Sequence, residues 1–352
     1  MNRSISRAGA SFGAALLVIA LSAAPAFACG GLIGPNGAVN LLRTTTLAGY
    51  HHGVEHYITA FQFAGGGGSF GSLTPLPGIP SKVEKGGDWT LQRLVRETEP
   101  QRESFLFAAD ATGAARSAEE LMKVRIDALD ITVLRGGSDA VGKWATEHGF
   151  RLPPDAPEVL DFYATRSPIF LAAVFDADAA AERGQAIGDG TPVHITIPTD
   201  NPWVPLRILG LGKAAQERVE ADVYLLTDRK PALLPTPDGS NGLDLGYDQA
   251  ASESLLTDLR SDRGMEWVPS SAWLSKVRID ASAPQLSFDL AIDASGARQP
   301  SRRMAGLELP ASVVQPDRSA DFVRTLVALT FTIGGVGGIL FLLVRRPPMT
   351  VA

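Results

Sequence analysis

Twenty consecutive residues near the C-terminus, Thr325 to Val344 (TLVALTFTIGGVGGILFLLV), carry no charge. A helix of that length rises about 30 Å, the thickness of a bilayer's hydrocarbon core. The run predicts a single transmembrane helix at 325–344, which confines the bulk of the chain to one side of a membrane. Arg345 and Arg346 follow directly. Basic flanks mark the cytoplasmic side, so the tail 345–352 is expected in the cytoplasm and the N-terminal bulk outside it. Gly334 and Gly338 have the G-x-x-x-G spacing that lets two spans approach closely, so a dimer through the span is a further expectation.

The other end points the same way. Arg3 and Arg7 precede a short apolar run, Phe12 to Ala20, and Ala26-Phe27-Ala28 is an A-x-A cleavage site. This is the pattern of a secretory signal peptide over 1–28, cut between Ala28 and Cys29. Cys29 is the only cysteine, which excludes an internal disulfide. Lipidation of Cys29 stays open as an alternative, although the bulky Phe27 departs from the usual lipoprotein pattern. The expected organisation is an exported domain over 29–294, a polar, proline-marked stalk over 295–324, the span and the tail. Whether the exported part is one domain or two is left open.

Four of the 32 basic residues (Arg3, Arg7, Arg345 and Arg346) lie in the flanks, leaving 28 against 38 acidic residues between them. A net charge of −10 argues against a nucleic-acid partner. The membrane is the expected partner, through the span, with a cell-surface protein or a glycan as further candidates.

Local patterns predict a strand-rich α+β domain. Residues 44–47 and 57–63 are rich in β-branched and aromatic residues, with a turn at His52-Gly53. Strands are expected at 126–134, 192–197, 203–210, 219–226, 272–280 and 286–292. The continuous apolar run Ile169–Phe175 reads as a buried central strand. Helices are expected from Ser138 to Gly149, from Asp155 to before Pro168, and from Ser252 to Arg263.

His52, Glu55 and His56 spell H-x-x-E-H, an order found in zinc peptidases. That chemistry needs a helix, where residues four apart stand about 6 Å from each other. On a strand they are about 13 Å apart and cannot share one ion. Gly53 inside the motif and the Thr-Thr-Thr before it favour a hairpin. His51, His52 and His56 therefore remain only as weaker metal candidates, with His51 or His52 meeting His56 across the hairpin. His148 is read as a helix-end residue. His194 falls on the face of a strand opposite Val193, Ile195 and Ile197, with no acid or nucleophile paired to it. Gly66-x-Gly68-x-x-Gly71 runs into prolines instead of a helix and offers no phosphate cradle. The Asp238–Asp244 loop lacks the calcium-binding order. Trp89, Trp203, Trp267 and Trp273 are candidate stacking faces for glycans. No cofactor is expected.

Several stretches resemble a bacterial family known as domain-of-unknown-function family 2330. They are Cys29-Gly30-Gly31, FGSLTPLPGIP (70–80), GGDWTLQRL (86–94), DITVLRGG (130–137), EHGFRLPPDAPEVLDFYA (147–164), IPTDNPWVPLRIL (197–209), ADVYLLTDRKP (221–231) and LRSDRGMEWVPS (259–270). The resemblance implies an exported or surface protein and assigns no activity, ligand or catalytic residue. The reading that results is a non-catalytic binding or envelope-structural module. The alternative is an exported hydrolase, metal-dependent through the His51–His56 cluster.

Overall fold

The computed structural model describes residues 31–34, 37–38, 43–62, 69–99, 121–182 and 190–308. In chain order the first strands are β1 (Gly31–Gly34), β2 (Gly37–Ala38), β3 (Arg43–His51), β4 (Val54–Gln62), β5 (Phe70–Leu76) and β6 (Lys82–Lys85). Helix α1 (Thr90–Thr98) follows, then β7 (Met122–Ile126), β8 (Leu129–Arg135), α2 (Ser138–Glu147), α3 (Ala156–Ala164) and β9 (Ile169–Phe175). Next come α4 (Ala177–Glu182), β10 (Gly190–Pro198), β11 (Trp203–Val204), β12 (Arg218–Thr227), β13 (Ala232–Leu234) and β14 (Leu243–Ala250). The last elements are α5 (Glu253–Ser261), β15 (Trp273–Ser282) and β16 (Leu290–Asp293). Among the described residues strand outweighs helix, which makes this a strand-rich α+β fold.

Two large sheets organise these elements. The first has seven strands in the order β14-β15-β12-β3-β4-β10-β6, antiparallel except for the parallel β3–β12 pair. The second has six, β2-β1-β5-β9-β8-β7, all antiparallel. A small sheet, β11-β16-β13, joins the late strands. Successive strand residues point to opposite faces, and the seven-stranded sheet uses both. Tyr57, Val193, Ile195, Val223 and Val277 share one core with Leu73, Ile131 and Phe170 of the six-stranded sheet. On the other face Leu47, Ile58, Tyr224 and Leu274 meet Leu94 of α1 and Leu255, Leu256 and Leu259 of α5. Full burial of each such leucine stabilises the fold by about 1.5–3 kcal/mol.

The local chemistry explains several boundaries. β3 and β4 form a tight hairpin because His52 and Gly53 both adopt positive φ, 50° and 79°, as a two-residue turn of this kind requires. The β9 run is fully paired, between β5 and β8. Ser252 caps α5 by accepting from Leu255 N at 3.2 Å. Other expectations are revised. Residues 203–210 are not one strand: only Trp203 and Val204 pair, and a 3-10 turn occupies Arg207–Gly210 once Pro205 has removed a ladder donor. Asp155 and Glu158 have the spacing of a capping box at the start of α3, but Asp155 does not cap the helix with its side chain; its carboxylate accepts from Gly212 N.

The compact unit runs to Leu307, past Ser295, where the sequence places the start of a stalk. Ala305 is fully buried and Met304 packs on the core. No helix among the described residues is long and apolar enough to cross a membrane. The signal over 1–28 with its Ala28–Cys29 junction, and the expected span at 325–344, lie outside the described residues.

Candidate functional site

The H-x-x-E-H string is dismantled by the hairpin. His52 sits at the exposed turn, and Glu55 and His56 face opposite sides of β4. His51 turns outward to Asp228, with Nδ1 2.6 Å from Oδ1, and its ring lies 3.8 Å from that of His52. His56 instead reaches across β4–β10: its Nδ1 is 3.0 Å from Nε2 of His194. The predicted meeting of His51 or His52 with His56 gives way to a pairing between His56 and His194. Among the described residues no group of three His, Cys, Asp or Glu side chains is placed to hold a metal ion.

His194 is also not without an acid, contrary to the reading of its strand alone. Glu84 on β6 places Oε1 3.7 Å from His194 Nδ1. β10 lies between β4 and β6, so residues far apart in sequence converge on the face away from Tyr57. His194 is 3% exposed and His56 9%. Burial, then the neighbouring His194 and His51, lowers His56 to about 3. Burial lowers His194 to about 4, with Glu84 and Glu266 opposing and Lys82 adding to the fall. Both rings are therefore neutral near pH 7.

A strap from Asp262 to Ser271 covers this pair. The Trp267 ring stacks on His56, 4.0 Å between centroids and 4° from parallel. Gly264, at φ 72°, passes so close that a Cβ there would stand 3.3 Å from His194 Nδ1. One end of the strap is fixed by Asp262. Its carboxylate accepts from Asp88 N at 3.0 Å, Trp89 N at 3.1 Å and Thr90 Oγ1 at 2.7 Å. It thus caps α1 from a distant part of the chain, satisfying donors that a helix N-terminus leaves free. Gly87 makes room for it, since a Cβ there would lie 2.2 Å from Asp262 Oδ2. At the other end Arg260 donates to Pro269 O at 2.8 Å and Ala251 N to Ala272 O at 2.9 Å.

Gly49, the register partner of His56, is what admits Trp267. A Cβ at Gly49 would stand 2.0 Å from Trp267 Cη2. Gly49→Ala is expected to push the indole off His56, to cost about 1–3 kcal/mol of stability, and to raise acrylamide quenching of Trp267. A urea midpoint equal to the wild type's, with unchanged quenching, would contradict this packing.

The remaining sequence candidates separate. Trp203 is fully buried and stacks on Tyr163, so it offers no face to a glycan. Trp273 donates to Asp248 at 2.6 Å. His148 bonds Trp144 O through Nδ1 at the end of α2. Asp238 closes a turn by accepting from Ser240 N and Oγ. Gly71 lies inside β5, and Gly66 and Gly68 lie outside the described residues.

Two polar clusters escaped sequence reasoning. Asp289, fully buried, accepts on Oδ1 from Tyr163 OH, Leu206 N and Arg207 N, and on Oδ2 from Arg166. Lys276 is buried between Glu99 at 2.9 Å and Asp222 at 3.5 Å. Glu55 stands apart. Neither carboxyl oxygen makes a hydrogen bond among the described residues, and burial raises it to about 8, opposed by the nearby Trp203 amide.

The arrangement is that of a two-sheet α+β domain whose histidine pair is enclosed by its own chain. The family model for an uncharacterised protein conserved in bacteria (DUF2330) matches residues 23–234, more than half of the chain, and the chain belongs to that family. The 259–270 stretch lies beyond the matched residues. No curated protein sequence matches the chain. Among solved structures, a mutated baculovirus P35 after caspase cleavage aligns at TM-score 0.38 and 10% identity, covering 71% of this chain and 98% of that one. Baculovirus P35 itself aligns at 0.34 and 10%, over 72% and 90%, and the caspase-8/P35 complex at 0.33 and 9%, over 71% and 90%. Scores this low carry no argument about fold or function.

Proposed function

We propose that the protein is a membrane-anchored extracytoplasmic module that acts by binding or by bracing the envelope, without catalysing a reaction. The observation that carries this reading is the fate of H-x-x-E-H. The hairpin divides its residues among a turn and two opposite sheet faces, and the one histidine that finds a partner is covered by Trp267. The anchoring half of the proposal rests on the uncharged run 325–344 with Arg345-Arg346 behind it, and on the signal pattern ending at Ala28. The test is fractionation of a bacterial host expressing the full chain. The chain is expected in the membrane fraction, with its large domain digested by protease added to spheroplasts, and deletion of 325–344 should release it. A domain that stays protected, or a deletion without effect, would overturn the topology.

The second reading is the exported hydrolase, and it draws on His194 with Glu84 and His56. Hydrolysis of simple ester or peptide substrates that disappears in His194→Gln would favour it.

A further inference from the structure

The two buried imidazoles share one contact, and its chemistry depends on how many protons they hold. With Glu84 Oε1 3.7 Å from His194 Nδ1, the favoured tautomer of His194 carries its proton on Nδ1, facing the carboxylate. Nε2 is then an acceptor, and His56 Nδ1–H donates to it across 3.0 Å. A first added proton can enter at His56 Nε2 and leave this bond intact. A second must enter at His194 Nε2, which sets two N–H groups and two positive rings against each other.

The strap above is held differently at its ends and its middle. The ends are tied by Asp262 to α1, by Arg260 to Pro269 O and by Ala251 to Ala272 O. Met265 and Val268, both buried, anchor the middle in the core beneath α1 and α5, while Trp267 between them rests on His56 and Gly264 passes close to His194.

We propose that His56 and His194 are an acid-operated latch: protonation of both rings releases Glu266 and Trp267 from the sheet while Met265, Val268 and the two ends of the strap stay attached. The charged and titratable groups facing the pair are Lys82 and Glu84 from β6, His51 from β3 and Glu266 from the strap. Glu84 and Glu266 favour a charged His194. Lys82 opposes it, as His51 opposes a charged His56. Asp262 is taken up by α1, and Arg263 reaches outward to Asp88. Burial is the largest cause lowering both rings, and lifting Trp267 away lessens it. The open form therefore binds protons more tightly than the closed one. As pH falls below the ordinary histidine range, the open population grows by up to about a hundredfold per pH unit when both rings take part.

Trp267 reports the opening. It is one of five tryptophans, so its signal is isolated as the difference between the full chain in detergent and its Trp267→Phe variant. Acrylamide quenching of Trp267 is expected to rise steeply between about pH 6 and pH 4 while far-UV circular dichroism holds. The rise should be absent in His56→Gln/His194→Gln. Trp267 still covered at the acid end, an equal rise in the double variant, or loss of the far-UV signal together with Trp267 exposure would each overturn the latch. If the double variant does not fold, imidazole nitrogen shifts of the wild-type chain decide. His194 neutral until Trp267 becomes exposed, whether or not His56 has taken its first proton, supports the latch. Titration of His194 beneath a closed strap refutes it.

Discussion

Asp289→Ala is expected to destabilise the domain by about 3–5 kcal/mol, the cost of stripping one partner from a buried ion pair. Domains of this kind hold only about 5–15 kcal/mol in all, so the variant should lose between about a fifth and all of its stability. The reason lies in what the carboxylate leaves behind. Arg166 is 5% exposed and depends on Asp289 Oδ2 at 2.8 Å for its counter-charge. Its other donors reach Met304 O and Phe162 O, neither of which is charged. Tyr163 OH and the Leu206 and Arg207 amides lose their shared acceptor in the same step. The network ties α3 to the 204–208 turn and to the segment ending at Leu307, so that segment should become the first site of proteolysis. Replacing both charges, with Arg166→Met and Asp289→Leu, should recover part of the loss, because no uncompensated charge remains. Urea unfolding of the three proteins checks this. An Asp289→Ala midpoint equal to the wild type's would mean the pair contributes nothing to stability.

The elements that could be read from the sequence are those whose cause is local. The apolar run Ile169–Phe175 is a central strand because both its neighbours bury it. The His52-Gly53 turn follows from two adjacent residues, and α5 carries its own Ser252 cap. What escaped notice depends on partners far along the chain. Helix α1 makes no side-chain cap of its own, and its donors are met by Asp262, so no start signal exists near Thr90. β5 runs through Pro75, which reads as a strand breaker. β1 pairs with Gly71–Leu73, and β9 pairs with the whole of Phe70–Leu76, Pro75 included. β14, with the sequence LDLGYDQA, lacks β-branched residues and is formed by pairing with β15.

The candidate site divides along the same line. Alternation of Val193, Ile195 and Ile197 placed His194 on the far face of its strand, as observed. That β10 would lie beside β4, bringing His194 to His56, depends on sheet order, which no local pattern encodes. One signal was available. The stretch 86–94, within the residues the family model matches, and 259–270, beyond them, clasp one another through Asp262, Asp88, Trp89 and Thr90.

The second large effect should run in the opposite direction, toward greater stability. Glu55 is fully buried on the face shared with Tyr57, and burial raises it from 4.5 to about 8. Below pH 4.5 the carboxyl is protonated in both the folded and the unfolded chain and contributes no pH dependence. As pH rises from 4.5 toward 8, the unfolded chain releases a proton that the folded chain keeps, so folding is progressively disfavoured. The accumulated penalty is about 3 kcal/mol at pH 7 and about 4 kcal/mol at pH 8. Glu55→Gln keeps the shape and cannot ionise. It should therefore match the wild type near pH 4.5 and exceed it by about 3 kcal/mol at pH 7, less whatever the buried amide loses by lacking partners. Histidine protonation works against stability over part of the same range but in the reverse sense. His56 and His194 are lowered, so their contribution is complete above the ordinary histidine range and is lost as pH falls through about 4 and about 3. Their effect is common to both proteins and cancels in the difference. Urea midpoints of wild type and Glu55→Gln at several pH values separate the two terms. A gap that widens with pH identifies Glu55 as a neutral acid held inside the sandwich. A gap that is constant or narrows would mean the carboxylate ionises in place, with a compensating charge or water beside it.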